Sequence, residues 1–156
     1  MSIIIRPADL ENDALAIMDG ARDFASRVSF QHLLPKDDAA FVDVVSRIVS
    51  LEGMEILVAE HDGGIVGGIG LLYMPSLWNP AILVADEIFF WSNRDAPFRT
   101  AYKLFDEAMR RIEERKAVPM FRTLITSPPG VEKLYRRRNM HPTETLFTWL
   151  PPPLSH

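Results

Sequence analysis

The stretch from Glu55 to Leu72, EILVAEHDGGIVGGIGLL, constrains the fold of this chain more than any other. Two apolar runs, Ile56-Leu57-Val58-Ala59 and Ile65-Val66, flank Asp62-Gly63-Gly64, residue types that suit the positive φ angles of a tight reversal. The pattern predicts a β-hairpin. Ahead of it, the β-branched run Ile3 to Ile5 stopped by Pro7 predicts a first strand. Beyond it, Ala81 to Ser92, AILVADEIFFWS, is apolar on both alternating faces, as in a central strand covered on two sides. Asp86 and Glu87 stand out in that setting. Phe121 to Ile125 and Thr143 to Leu150 read as two further strands, and Pro151 to Pro153 cannot extend the last.

Between these strands, apolar residues recur at three- and four-residue spacings. Ala14, Leu15, Ile17, Met18, Ala21, Phe24 and Ala25 predict one buried helix face, with Asp9 or Asn12 as the cap. A second helix is expected from about Asp37 to Ser50, with the stripe Phe41, Val44, Val45, Ile48 and Val49 and with Asp37 and Asp38 at the positive end of its dipole. Ser26 to Pro35, containing Phe30, Gln31 and His32, has no period and reads as a connector. Met74 to Pro80 carries two prolines around an apolar middle, where Trp78 is either a buried anchor or part of a substrate pocket. A long helix follows the loop Asn93 to Pro97 and runs to about Lys116 on the stripe Ala101, Leu104, Phe105, Ala108, Met109 and Ile112. Asp106 with Arg110 and Glu107 with Arg111 are placed for i,i+4 pairing on it. Ser127 to Gly130 turns into a last helix, Val131 to Arg138. With no repeat, low-complexity segment or boundary, the expectation is one mixed α/β domain over residues 1–156.

Composition removes several functional classes. The 156 residues are 47% hydrophobic and 24% charged, the balance of a globular domain. A net charge of −4 does not suggest a general binder of nucleic acid or anionic membrane, and neither is expected as a partner. The absence of cysteine excludes disulfides, thiolate metal sites and cysteine nucleophiles. No spacing of His, Asp and Glu suggests a metal, and Ser127 lacks a hydrolase elbow. The N-terminal apolar run is shorter than that of a signal peptide, and none approaches the ~18 to 20 residues of a membrane span. A soluble, cytoplasmic protein is expected.

The order strand, two helices, hairpin, central strand, long helix, strand, helix, strand resembles that of the GNAT N-acetyltransferase superfamily. The residues that carry the likeness are Ile5-Arg6-Pro7-Ala8, Val58-Ala59-Glu60 with Asp62-Gly63 and Ile65-Val66-Gly67, and Leu134-Tyr135-Arg136-Arg137. Glu87-Ile88-Phe89-Phe90-Trp91 looks like the fourth strand of phage-type members. The resemblance covers nearly the whole chain and implies a central, mostly antiparallel sheet flanked by helices, with acetyl-CoA as cofactor.

In that family the diphosphate of acetyl-CoA lies on backbone N–H groups of a glycine-rich loop, close to Q/R-x-x-G-x-G/A, that opens the long helix. A helix N-terminus offers free donors and a favourable dipole to an anion. Here Ala96-Pro97-Phe98-Arg99-Thr100-Ala101 falls on the motif, and only Ala101 matches it. Pro97 removes an N–H, and Arg99 replaces a small glycine. Either Arg99 obstructs the phosphates, or Arg94 and Arg99 supply charge-assisted contacts in place of backbone ones. The resemblance assigns Phe89, Phe90 and Trp91 to the pantetheine arm through their backbone, alongside a core-packing role for their side chains.

Transfer to an amine requires a base for the ammonium and an acid for the departing thiolate. Tyr135 falls on the tyrosine of the family's Leu-Tyr-x-x-x-Gly-Phe element, which implies the acid. Asn139 and Met140 take the glycine and phenylalanine places, asparagine being tolerant of a left-handed helix end. Basic residues beside Tyr135 would favour its phenolate. For the base, Glu87 is the first candidate and Asp86 the second, because an apolar strand raises a carboxylate's pKa. Neighbours on a strand face opposite ways, so one of the two is expected at the site. His32 and His61 are weaker candidates, with His61 expected to be exposed beside the turn. Arg136, Arg137, Arg138 and Lys133 form a basic cluster that reads as a solvated face or a contact for phosphates or an acidic partner.

The resemblance therefore implies direct transfer of acetyl from acetyl-CoA to the primary amine of a small-molecule or peptide acceptor. The alternative is a non-catalytic GNAT-fold protein, an interaction or virion-associated module that has lost the cofactor. Exposed sheet edges would also support a homodimer.

Overall fold

The computed structural model describes residues 2–28, 31–124 and 127–144. In chain order it runs β1 (Ile4–Pro7), α1 (Ala14–Arg27), a 3-10 turn (Gln31–Leu33), α2 (Asp38–Val49), β2 (Met54–His61), β3 (Gly64–Pro75), β4 (Leu83–Ser92), α3 (Thr100–Glu114), β5 (Val118–Met120) and α4 (Pro129–Arg136). The strands form one sheet in the order β1-β2-β3-β4-β5. Neighbours are antiparallel except β4 and β5, which run parallel with α3 as the crossover. No helix among the described residues is long and apolar enough to cross a membrane.

The hairpin forms where the sequence places it. Asp62 and Gly63 both take positive φ, 52° and 78°, the pair of left-handed residues that a two-residue reversal with the sheet's twist requires. Each face of the sheet carries its own core. Leu57, Ala59, Ile69, Leu71, Tyr73 and Ala85 pack with Leu104, Phe105, Ala108, Met109 and Ile112 of α3 and with Tyr135 of α4. On the other face, Ile56, Val58, Phe89 and Trp91 pack with Ile17 of α1. Trp91 has room only because its neighbours lack side chains: a Cβ on Gly20 or Gly68 would overlap its indole ring. The β1 end is pinned by Arg6, which donates to both carboxylate oxygens of buried Asp13 at 2.7 and 3.0 Å and to Glu60 at 2.9 Å.

Several boundaries differ from the sequence expectation, each for a local reason. Pro7 lies inside β1, opposite Leu57, where an edge strand tolerates a missing donor. The cap of α1 is Asp13 rather than Asp9 or Asn12, although Asp9 accepts the Asp13 N–H at 2.7 Å one turn earlier. Leu15 is 83% exposed, because two residues on a helix lie about 200° from Ile17 and cannot share its buried line. Asp37 caps α2 through an Ala40 N–H at 2.9 Å. The pair Asp106–Arg110 does not form: Arg110 binds Glu107 at 2.6 Å and also Glu114, while Arg138, in the turn after α4, takes Asp106. Glu107–Arg111 does form, at 2.9 Å. The fifth strand covers Val118–Met120 instead of starting at Phe121, since the chain enters the sheet directly after Lys116 reverses with φ 53°. Ile125 and most of the strand expected to end at Leu150 lie outside the described residues.

Candidate active site

The sheet opens between β4 and β5. Their parallel pairing covers Val84, Ala85 and Asp86 against Val118, Pro119 and Met120, and goes no further among the described residues. At the same level β4 carries a bulge: Gly70 faces Phe89 and Leu71 faces Glu87, which leaves Ile88 as the extra residue. The Asn93 N–H donates to Val66 C=O at 2.9 Å. Alternation along an antiparallel ladder then turns the main-chain groups of Phe90 and Ser92 away from β3, toward the open side.

The bulge also decides which side chains meet. It switches the parity of β4, so that Glu87 shares a face with Phe90 while Phe89 and Trp91 pack on the α1 side. Glu87 therefore faces α4. Its Oε2 accepts from Tyr135 Oη at 3.4 Å and from the Arg122 N–H at 3.2 Å. Burial pushes the Glu87 carboxyl up to about 7, against the opposing pull of the Arg122 N–H, the Arg122 charge and Tyr135. Tyr135 is buried in an aromatic group, with ring centroids 5.5 Å from Phe105 and 5.3 Å from Phe121. Burial, reinforced by the Glu87 carboxylate, raises its hydroxyl above the ordinary range. This reverses the expectation drawn from the basic residues beside it. Arg136 and Arg138 turn outward to Glu132 and Asp106, so Tyr135 stays a neutral proton donor.

Asp86 has a different partner. Its carboxylate binds the Arg122 guanidinium at 2.6 and 2.8 Å. Of the two adjacent carboxylates, Glu87 is the one in contact with Tyr135. Sequence reasoning did not single out Arg122, which binds residues some 35 positions earlier and sits in no periodic pattern.

At the other end of β4, Arg94, Phe98 and Arg99 are exposed in the loop before α3. Thr100 is fully buried, and its N–H and Oγ1 both donate to Pro97 C=O, at 2.9 and 2.8 Å. This closes a turn that leaves the N–H groups of Phe98, Arg99, Ala101 and Tyr102 without a protein acceptor among the described residues. Arg99 is exposed to solvent. Donors and cations are thus both available despite the lost glycine.

The remaining candidates lie elsewhere. Trp78 is 96% exposed on a turn closed by Ser76 N–H to Ile82 C=O at 2.8 Å, so it anchors nothing in this chain. His61 is half-buried, with Nδ1 enclosed and Nε2 3.5 Å from Asp62, and it is remote from Glu87 along the sheet. His32 falls in the 3-10 turn. Ser127 Oγ accepts the Leu124 N–H at 2.8 Å, a turn contact. Asn139 takes φ 56° after α4, as the helix-end position requires.

No family model and no curated protein sequence matches the chain. Solved structures do. A ribosomal-protein-alanine N-acetyltransferase from Brucella melitensis biovar Abortus 2308 superposes with a TM-score of 0.72 at 18% identity, covering 96% of this chain and 99% of that one. A transcriptional regulator from Bacillus halodurans C-125 gives 0.73 at 18% identity with the same coverage. A predicted acetyltransferase from Clostridium acetobutylicum, solved with acetyl-CoA, gives 0.68 at 12% identity and 96% coverage of both chains. The fold is that of the GNAT acetyltransferases, as the sequence motifs imply.

Proposed function

We propose that this protein is an N-acetyltransferase that uses acetyl-CoA and a primary amine. The observation that carries the reading is the contact between Glu87 and Tyr135 at the level where β4 parts from β5. There a carboxyl titrating near 7, a base matched to neutral pH, faces a phenol that keeps its proton and so has one to donate. The acetyltransferase names among structures of the same fold support it.

The chain's own groups fit acetyl-CoA. The open main chain of Phe90 and Ser92 suits the amides of the pantetheine arm, with Phe89 and Trp91 holding β4 in place from the core. The free N–H groups of Phe98, Arg99, Ala101 and Tyr102, with Arg94, Arg99 and the turn built by Pro97, Thr100 and Ala101, suit the diphosphate. Acetyl-CoA would supply the acyl group as a thioester. Glu87 would take the proton that frees the acceptor nitrogen to attack; a C–N bond would replace the C–S bond, and Tyr135 would give its proton to the leaving sulfur and regain one from the nitrogen as the amide forms.

The acceptor is a small-molecule or peptide amine, the protein works in the cytoplasm, and a homodimer formed through exposed sheet edges belongs to the same reading. Pro97 and Arg99 at the phosphate loop favour the second reading, a non-catalytic module with this fold. Titration calorimetry with acetyl-CoA separates the two. Saturable heat at micromolar to millimolar ligand is expected, and none at millimolar ligand defeats the enzymatic reading.

A further inference from the structure

We infer that Arg122 is the positioning residue of this site: it sets where the sheet opens and holds the Glu87 carboxylate and the Tyr135 hydroxyl toward one another. Both the main chain and the guanidinium of Arg122 take part. Its N–H donates to Glu87 Oε2 at 3.2 Å, and its C=O accepts from Tyr135 Oη at 3.2 Å. Its guanidinium donates to Glu87 C=O at 2.7 Å and to Asp86 Oδ2 at 2.8 Å. One residue therefore touches the proposed base, the proposed acid and the strand that carries the base.

The arrangement also accounts for the end of the β4–β5 ladder. A parallel ladder continued past Asp86 and Met120 would exchange main-chain N–H and C=O groups between the strands. At Arg122 the N–H goes to a side-chain carboxylate instead, and the Glu87 C=O receives a guanidinium in its place. At this level the Arg122 N–H and the Glu87 C=O are thus satisfied without pairing to each other, so the ladder can end here without leaving either group unmet. Phe90 and Ser92 lie beyond that level on β4. The guanidinium forks between the Glu87 C=O and Asp86 Oδ2, one Nη to each, a fixed geometry that a lysine ammonium could not reproduce.

The groups that face Glu87 are Tyr135 from α4, Arg122 from the segment after β5 and Asp86 on its own strand, while Glu144 acts on Arg122. Arg122 is the cation among them. Its removal leaves the burial of Glu87 in place and takes away part of what opposes it, so the carboxyl should hold its proton more tightly.

The placement of Arg122 stands on geometry, whereas its catalytic meaning rests on the acetyltransferase reading, and two measurements keep them apart. The first is a carbon-detected NMR titration of the Glu87 side-chain carboxyl in full-length wild type, R122K and R122Q. The midpoint should rise by about one pH unit in R122Q, about tenfold in proton affinity, with R122K in between. Equal midpoints in the three proteins overturn the inference. R122K keeps the charge and decides the matter if R122Q fails to fold. The second is turnover of acetyl-CoA with benzylamine as probe acceptor. In R122Q, kcat should fall about tenfold or more with KM for acetyl-CoA within about twofold, and the rising limb of the pH profile should move up with the titration. A raised KM with unchanged kcat and pH profile overturns the positioning role. If wild type shows no heat with acetyl-CoA, the acetyltransferase reading falls and the titration still decides for or against Arg122.

Discussion

Glu87→Gln tests the central electrostatic claim without assuming any activity. Glutamine keeps an acceptor oxygen for the Arg122 N–H and removes the ionisable group. In the folded protein the Glu87 carboxyl titrates at about 7 against an ordinary 4.5, because burial disfavours its charge. Folding therefore favours the protonated form. The stability this contributes is complete below 4.5 and is lost as the pH rises through 7. Proton linkage over that gap makes the wild type lose about 2.5 kcal/mol between pH 5 and pH 8 from this residue, and the variant has nothing to lose there. Urea denaturation of both proteins at the two pH values gives the double difference, in which other titrating groups cancel. The stability of the variant relative to wild type should improve by about 2.5 kcal/mol on going to pH 8. A change below about 0.5 kcal/mol, the scatter of an ordinary surface substitution, refutes a neutral buried carboxyl and with it a base tuned to neutral pH.

Three further outcomes follow from other parts of the structure. Tyr135→Phe removes the hydroxyl and keeps the aromatic packing with Phe105 and Phe121, so kcat for acetyl transfer should fall about a hundredfold while calorimetric affinity for acetyl-CoA holds; unchanged turnover removes Tyr135 as the acid. Arg99→Ala deletes an exposed cation beside the free N–H groups of α3 and should weaken acetyl-CoA binding about tenfold at low salt; equal affinity in calorimetry places the phosphates elsewhere. Arg6→Ala strands the buried Asp13 carboxylate and should cost about 1 to 3 kcal/mol at pH 7. Since Arg6 holds Asp13 below its ordinary 3.8, that contribution is present above 3.8 and disappears as the pH falls through the lower folded value. Melting curves of Arg6→Ala and wild type should converge on acidification, and a constant gap would assign the loss to packing.

Much of the fold was legible because its signals are local. Asp62-Gly63 specifies a reversal by backbone conformation, and the stripe from Ala101 to Ile112 specifies α3 by period. Both act within a few residues, where sequence pattern and structure coincide. The failures are tertiary. Trp78 lies between prolines in an apolar context that invites burial, but the turn from Ser76 to Ile82 closes on its own backbone and holds the indole out. Asp106 had a suitable partner at i+4 and lost it to Arg138, which only the packing of α4 brings near.

The site was legible in kind but not in orientation. An acidic pair inside an apolar strand announces a perturbed carboxylate, yet residue types cannot say which of Asp86 and Glu87 faces Tyr135. In a regular strand Glu87 would share its face with Phe89, and the aromatic ring would compete with α4 for the space beside the carboxylate. The extra residue, Ile88, sends Phe89 to the opposite core next to Trp91, at 5.6 Å between ring centroids. That leaves Glu87 beside Tyr135 and turns Phe90 toward the opening. No residue in Glu87-Ile88-Phe89 demands a bulge by its own conformational preference. It is supported from across the gap, where Arg122 holds the carbonyl and carboxylate of Glu87 together with the neighbouring Asp86. The local irregularity and the distant arginine are one device, and a sequence read element by element separates them by the length of α3.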